Sequence, residues 1–337
     1  RDRSVSRGLG DVYKRQTVSR VLNGSDKVRP STKKKVMDII EKYDYTPNAF
    51  ARGMGLHSLQ TIGILCADSS DLFLAKAVYY LEQELQANGY ESLLCCTGYN
   101  LELKQNYLNL ILSKKVDGII LVGSNFIGTT EDENQYIKDV STQVPIMLLN
   151  ASFDHPNVYS TLCDDYGTMF EAATEMIQSG ITDILYLYDS KSYSGLKKLH
   201  GFCDAMKEHN IPGFEKLIHF YDGNIEHLNE VADFVARIAT KGTSFHGIMT
   251  SDDSLAIGSI KYAQKKGIRI PEELSVMGYN NSMLTNCCTP ELTSVDNRLE
   301  TQTHQLVQTL LGVLAGEEMP KKSIFSGKII KRGTTLF

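Results

Sequence analysis

The sequence predicts an α/β chain of two doubly wound lobes preceded by a short, basic helical end. Three observations carry that prediction. From Thr61 onward, short apolar runs alternate with amphipathic stretches, the pattern of βαβ units on a parallel sheet. The runs come in two series, TIGILCA, ESLLCC, DGIILVG and PIMLLN, then DILYLY, KLIHFY, HGIMT and LSVMGY, so two sheets are expected. Charge divides the chain at the same place: residues 1–60 hold 13 Lys and Arg against 6 Asp and Glu, whereas residues 61–337 hold 22 against 34. A basic end neutralises phosphates and gains from counterion release, while the acidic remainder is repelled by DNA. A length of 337 residues suits two to three domains, each with its own core.

Residues 1–16, RDRSVSRGLGDVYKRQ, show no apolar period and join abruptly to TVSRVLNG. They read as a non-native leader standing where the first helix of a helix-turn-helix belongs, so the helix-turn-helix of residues 17–47 is expected to be partial. A recognition helix puts residues near its N-terminus on base edges, with polar neighbours on phosphates; Thr17, Ser19 and Arg20 suit those roles. Asn23-Gly24 supplies a helix stop. Pro30 and Ser31 open a further helix, in which Val36, Ile39, Ile40 and Tyr43 recur at helical spacing and read as core. Lys33, Lys34 and Lys35 crowd its first turn against the macrodipole, which a phosphate partner would explain. Gly53 and Gly55 flank Met54 and lower helix propensity there.

In the remainder, helices are expected at Leu72–Asn88, Leu101–Ser113, Tyr166–Ser179, Leu196–His209, Ile225–Thr240 and Ser254–Lys266. Open sheets bind ligands outside the carboxyl ends of their strands, so two facing lobes make a cleft lined by the residues after each strand. Tyr221 and Asp222, after KLIHFY, belong to that set. Asp164 and Asp165 read as helix caps, and Asp252 and Asp253 as caps or ligand contacts.

Several function classes lack their parts. No apolar run reaches ~18 residues and no secretory signal opens the chain, so no membrane partner and a cytoplasmic location are expected. The seven cysteines, odd in number, match no zinc or redox spacing and are expected reduced and mostly buried; the eight histidines are scattered singly, so no metal or cofactor is expected. No GxxxxGK[ST], no GxGxxG after the first strand and no GxSxG occurs, which argues against an enzyme.

TVSRVLNGSDKVRPSTKKKV, followed by YTPNAFARGM and TIGIL, resembles the LacI/GalR family of bacterial transcriptional regulators in order and spacing, from Thr17 to the end. The resemblance implies two periplasmic-binding-protein-like lobes, residues 61–159 with 290–320 and residues 160–289 with 321–337, the chain crossing back near Thr289 and Lys321. It implies operator contacts from Thr17, Val18, Ser19, Arg20, Asn23, Val28, Ser31, Tyr45, Asn48, Ala51, Arg52 and Met54. The resemblance also implies that residues 48–60 are a hinge helix and linker that folds only on operator DNA; in such proteins a pair of hinge helices wedges leucines into the minor groove, and Met54 holds that position here, apolar and flexible enough for the role.

For the effector, the resemblance points to Phe73 and Leu74 after the first strand, to Ser192, Ser194 and Lys198, to Tyr221 loosely, and to Asp252 and Asn280. Lys198 stands where the family uses an arginine, a point charge in place of a bidentate fork. Asn280 replaces an aspartate and both donates and accepts, which suits a neutral polyol. An uncharged, hydroxyl- and amide-rich cleft favours a sugar, and the stretch SVMGYNNSMLTNCCTPELTSVDNR looks most like regulators of the maltose or oligosaccharide type. The expected protein is thus an operator-binding regulator, in the main a repressor, controlled by a small molecule that favours one lobe arrangement. Some relatives take a phosphorylated carrier protein as corepressor. Without a heptad tail after KRGTTLF, a homodimer is the simpler assembly. The alternative is a stand-alone sugar-binding protein of the periplasmic type, which predicts a signal peptide and no recognition helix.

Overall fold

The computed structural model describes residues 17, 18, 20, 21, 27–42, 58–240 and 242–337. The chain divides into two compact units, Arg1–Gln60 and Thr61–Phe337. In the first, Thr17, Val18, Arg20 and Val21 are helical, with Val21 buried and Arg20 exposed. Helix α1 (Pro30–Lys42) begins on Pro30, whose missing N–H would have had no helical partner, and the Arg29 carbonyl accepts from the N–H groups of Thr32 and Lys33. Lys33, Lys34 and Lys35 are exposed, and of the described residues of the apolar stripe Val36 is half-buried while Ile39 is 57% exposed. Helical spacing tells which residues share a face, and not whether anything covers it. The leader 1–16, Ser19, Asn23, Tyr43, Tyr45, Asn48, Ala51, Arg52 and Met54 lie outside the described residues.

The second unit holds two six-stranded sheets. The first runs β11-β5-β4-β3-β1-β2, all pairs parallel, from β1 (Thr61–Cys66), β2 (Glu91–Cys96), β3 (Gly118–Val122), β4 (Ile146–Leu149), β5 (Val158–Cys163) and β11 (Lys322–Phe325). The second runs β12-β10-β9-β8-β6-β7, from β6 (Ile184–Tyr188), β7 (Ile218–Phe220), β8 (Gly247–Thr250), β9 (Ser275–Tyr279), β10 (Thr293–Asp296) and β12 (Lys328–Ile330), with only β10 and β12 antiparallel.

Helices cover both faces of each sheet, because alternate strand residues point to opposite faces and both are apolar. Over the first sheet, Ile62, Ile64, Ile120 and Val122 pack under α2 (Leu72–Ala87) and α9 (Leu299–Leu314). The other face, Leu65, Ile119, Leu121 and Leu148, packs under α3 (Leu101–Ser113) and α4 (Gln135–Ser141). In the second lobe, α5 (Asp165–Gln178) and α6 (Tyr193–Glu208) cover Ile184, Tyr186 and Met277, while α7 (Leu228–Thr240) and α8 (Asp253–Lys266) cover Leu185, Ile248 and Val276.

The crossings between lobes differ from those expected. All of β5 and β11 pair in the first sheet, and all of β10 and β12 in the second, so the chain crosses at residues 163–165, 296–299 and 325–328 instead of 159/160, 289/290 and 320/321. The middle crossing falls later than expected because β10 is polar, TSVD, yet buried: the Thr293 hydroxyl pairs with that of Thr335, and the Ser294 hydroxyl donates to Asp253. Such a strand has no apolar pattern to show. The seven cysteines are all free thiols, but only Cys66 and Cys163 are buried, while Cys96 and Cys287 are exposed, fewer buried than expected. No helix among the described residues is long and apolar enough to cross a membrane.

Candidate functional site

The carboxyl ends of both sheets open onto one cleft, and its walls are the turns that follow the strands. After β1, Asp71 caps α2, its Oδ1 accepting the Leu74 N–H at 2.8 Å. Asp68 in the same turn accepts from the Ser70 N–H and hydroxyl. After β2, the Thr97 and Gly98 N–H groups prolong the pairing onto the Cys66 and Ala67 carbonyls and deliver Tyr99 to the mouth. After β6, Ser192 caps α6, and the Ser124 hydroxyl, from the turn after β3, donates to the Ser192 hydroxyl at 2.8 Å. That bond joins the two lobes across the cleft. Gly195 is required beneath it, because a Cβ there would stand 2.2 Å from the Ser190 carbonyl oxygen.

After β8 and β9 the polar groups interlock. Asp252 caps α8 through Oδ1 and accepts the Asn280 amide N–H on Oδ2 at 2.8 Å. Asn280 has φ of 99°, a left-handed conformation that Asn tolerates better than most residues, and its own oxygen accepts from the Asn297 side chain. Asp189 accepts the Ser251 hydroxyl at 2.8 Å. Burial, followed by repulsion from Asp189 and Asp253, pushes the Asp252 carboxyl up to about 7, and burial pushes Asp253 up to about 6.

Seven of the eight effector candidates meet here: Phe73, Leu74, Ser192, Ser194, Lys198, Asp252 and Asn280 line one narrow chamber with Tyr99, Asn150 and Asp189. Several are already engaged. Leu74 is buried in the core of the first lobe, the Ser194 hydroxyl donates to Asp165 at 2.5 Å, and the Lys198 ammonium donates to the Ser251 carbonyl. Tyr221 is a correction. Its ring is buried in the second lobe's core against Phe234, because the turn after β7 folds over it, with its hydroxyl 3.5 Å from the Asn224 carbonyl. The expected uncharged lining is a second correction, since Asp71, Asp189 and Asp252 all line the chamber. Asp164 caps α5 as expected, whereas Asp165 is buried between Ser194 and Tyr279. Among the described residues no three His, Cys, Asp or Glu side chains gather to hold a metal.

Residues 15–48 match the family of bacterial regulatory proteins of the lacI type, and residues 173–335 match the periplasmic binding protein-like domain. An HTH-type transcriptional regulator of Lachnoclostridium phytofermentans is 48% identical over 321 residues, 95% of this chain and 96% of that one. The chain belongs to the lacI family. Catabolite control protein A of Priestia megaterium is 32% identical over 286 residues, covering 83% of this chain and 82% of its own. The lac repressor dimer, solved on operator with the anti-inducer ONPF, has the same fold at 19% identity, with a TM-score of 0.86 over 97% of this chain and 98% of that chain.

As a lacI-family member, the chain is a DNA-binding transcriptional regulator and not an enzyme, which sets aside the stand-alone solute-binding alternative. Of the operator candidates, Thr17, Val18 and Arg20 lie in helix, Val28 is half-buried just before α1, and Ser31 is exposed in its first turn. Sequence reasoning missed Asp71, Tyr99, Ser124, Asn150 and Asp189. The signal was present: each follows an apolar strand within a few residues, where this kind of sheet places its ligand groups.

Proposed function

We propose that this lacI-family regulator represses transcription as a homodimer on a near-palindromic operator, and that a sugar closing the cleft changes its operator affinity. The observation that carries the sugar reading is the narrow chamber itself. It converges hydroxyl, amide and carboxylate groups from both lobes on one space, and the Ser124–Ser192 bond spans its walls. Carboxylate oxygens there are acceptors for sugar hydroxyls, and Phe73 supplies an apolar wall. A ligand bound between the lobes favours the arrangement in which both contact it, and operator affinity follows by linkage. The dimer reading is supported by the edge strand β2, which exposes Leu93 at 38% and Leu94 at 44%, apolar groups that a monomer would leave in water. A cytoplasmic location goes with operator binding.

The test is fluorescence anisotropy on a palindromic operator at two salt concentrations, with the chain as it stands and with residues 1–16 replaced by a family-like first helix. The expected result is tight, salt-steep and sequence-selective binding by the second protein, altered by a sugar. A parallel arm adds a phosphorylated carrier protein in place of sugar, to test the corepressor expected of some relatives. Binding by neither protein, under any of these conditions, overturns the reading.

A further inference from the structure

The cleft has more than one chamber. The narrow one holds about 140 Å³ and continues, past Asp71, Tyr99, Asp189 and Asp252, into a wide one of about 500 Å³. Pockets that enclose a whole small-molecule ligand span roughly 300–1,000 Å³, so the narrow chamber by itself falls short and the two together suffice.

The wide chamber has a free aromatic face. In a third hollow beside the cleft, around Tyr79 and Tyr80, the Lys76 ammonium stands 4.8 Å from the centroid of each tyrosine ring. Tyr99, in contrast, is 64% exposed, and among the described residues no ring or cation stacks on it. Beside it are fixed acceptors. Asp68 Oδ1 is held by Ser70 and Asp189 Oδ1 by the Ser251 hydroxyl, which orients each carboxylate and leaves Oδ2 for other donors. Leu72, Ile225 and Leu228 supply apolar surface to the same space. An aromatic face flanked by oriented carboxylates matches a pyranose, whose C–H face is apolar and whose rim hydroxyls donate charge-assisted hydrogen bonds.

We infer that the wide chamber is a second sugar subsite with Tyr99 as its stacking platform, so that the effector is an oligosaccharide of at least two rings. The inference rests on the sugar-effector reading above. One ring occupies the narrow chamber and the next lies on Tyr99, its hydroxyls within reach of Asp68 and Asp189. Tyr99 is then a specificity-determining residue, setting effector length.

The test is calorimetric titration of the full chain with two ladders, glucose to cellotriose and glucose to maltotriose, repeated on Tyr99→Ala, Tyr99→Phe and Asp68→Asn. The expected result is a gain of about tenfold in affinity from mono- to disaccharide in one ladder. That gain disappears in Tyr99→Ala, shrinks in Asp68→Asn and persists in Tyr99→Phe. A monosaccharide that binds as tightly as its disaccharide, or a gain that survives Tyr99→Ala, overturns the inference and leaves the sugar reading standing. Binding by no member of either ladder overturns both. The exposure of Tyr99 means its truncation leaves the core intact, and the melting temperature of each variant checks that.

Discussion

Lys198 is stacked on Tyr279: its ammonium lies 3.9 Å from the ring centroid and donates to the Ser251 carbonyl at 3.1 Å. The Tyr279 hydroxyl donates in turn to Asp165 at 2.6 Å, a carboxylate that burial pushes up and the Lys198 charge pulls back down. Asp165 sits at the first crossover between the lobes, so the Lys198 cation steadies the junction. Lys198→Met is expected to lower the stability of the effector core by ~1–3 kcal/mol in denaturant unfolding, as for a buried charge left without its partner. An unchanged midpoint with sugar binding lost would place the ammonium on the ligand instead.

The hydrogen bond between Ser124 and Ser192 is made only while the lobes face each other closely. Ser124→Ala removes it without disturbing a helix cap. At ~0.5–1.5 kcal/mol for a net hydrogen bond, the closed form weakens and sugar affinity should fall roughly two- to tenfold, with little change in the melting temperature of the free protein. Equal affinity in calorimetry would mean that the bond does not report closure.

Stability should fall as pH rises through the range set by Asp252 and Asp253. Both carboxyls titrate higher in the folded chain, at about 7 and about 6, than the ordinary 3.8. The folded state therefore holds protons that the unfolded state has released. Their contribution is full below the unfolded value and is lost as pH climbs toward the folded ones. Asp252→Asn keeps the cap on α8 and should flatten the decline between about pH 4 and about pH 7. The same slope in both proteins, from urea midpoints, would contradict the assignment.

Gly195→Ala places a methyl against the Ser190 backbone, which cannot yield as a side-chain tip would. The turn after β6 must shift, and Ser192 and Asp189 move with it. We expect ~1–3 kcal/mol of destabilisation from overpacking, together with a loss of sugar binding larger than that of Ser124→Ala. Wild-type affinity in this variant would show that the turn relaxes without consequence.

Leu94→Glu puts a charge on the exposed edge strand β2. If that edge is the dimer surface, the variant should sediment as a monomer with an unchanged fold and lose operator affinity, because two half-sites are then no longer held by one particle. A dimer that persists would move the interface elsewhere.

Much of the fold was legible because its cues are local. Apolar runs such as TIGILC and GIILV are buried on both faces, and helix starts such as Asp71, Asn100 and Ser192 carry their own caps. Less local features were hidden. Helix α9 was not expected, although Leu306, Val307 and Leu310 complete the first lobe's core, because it follows a strand of the other lobe. Likewise β11 is an edge strand of mixed polarity, KSIF, with no period of its own. In the site, Tyr221 has the right place in the chain and the wrong direction in space.

By itself the sequence determined the lacI-type headpiece motif, the two series of strands and helices, and the rule that ligand groups follow the strands, since each depends on residues within a few positions of one another. Only the tertiary structure decided which groups meet: that Lys198 turns to Tyr279, that Ser124 reaches Ser192 across 68 positions, and that Tyr99 is left with an open face. Those outcomes depend on neighbours far apart in the chain, whose distances are set by how two sheets pack and not by the order of residues.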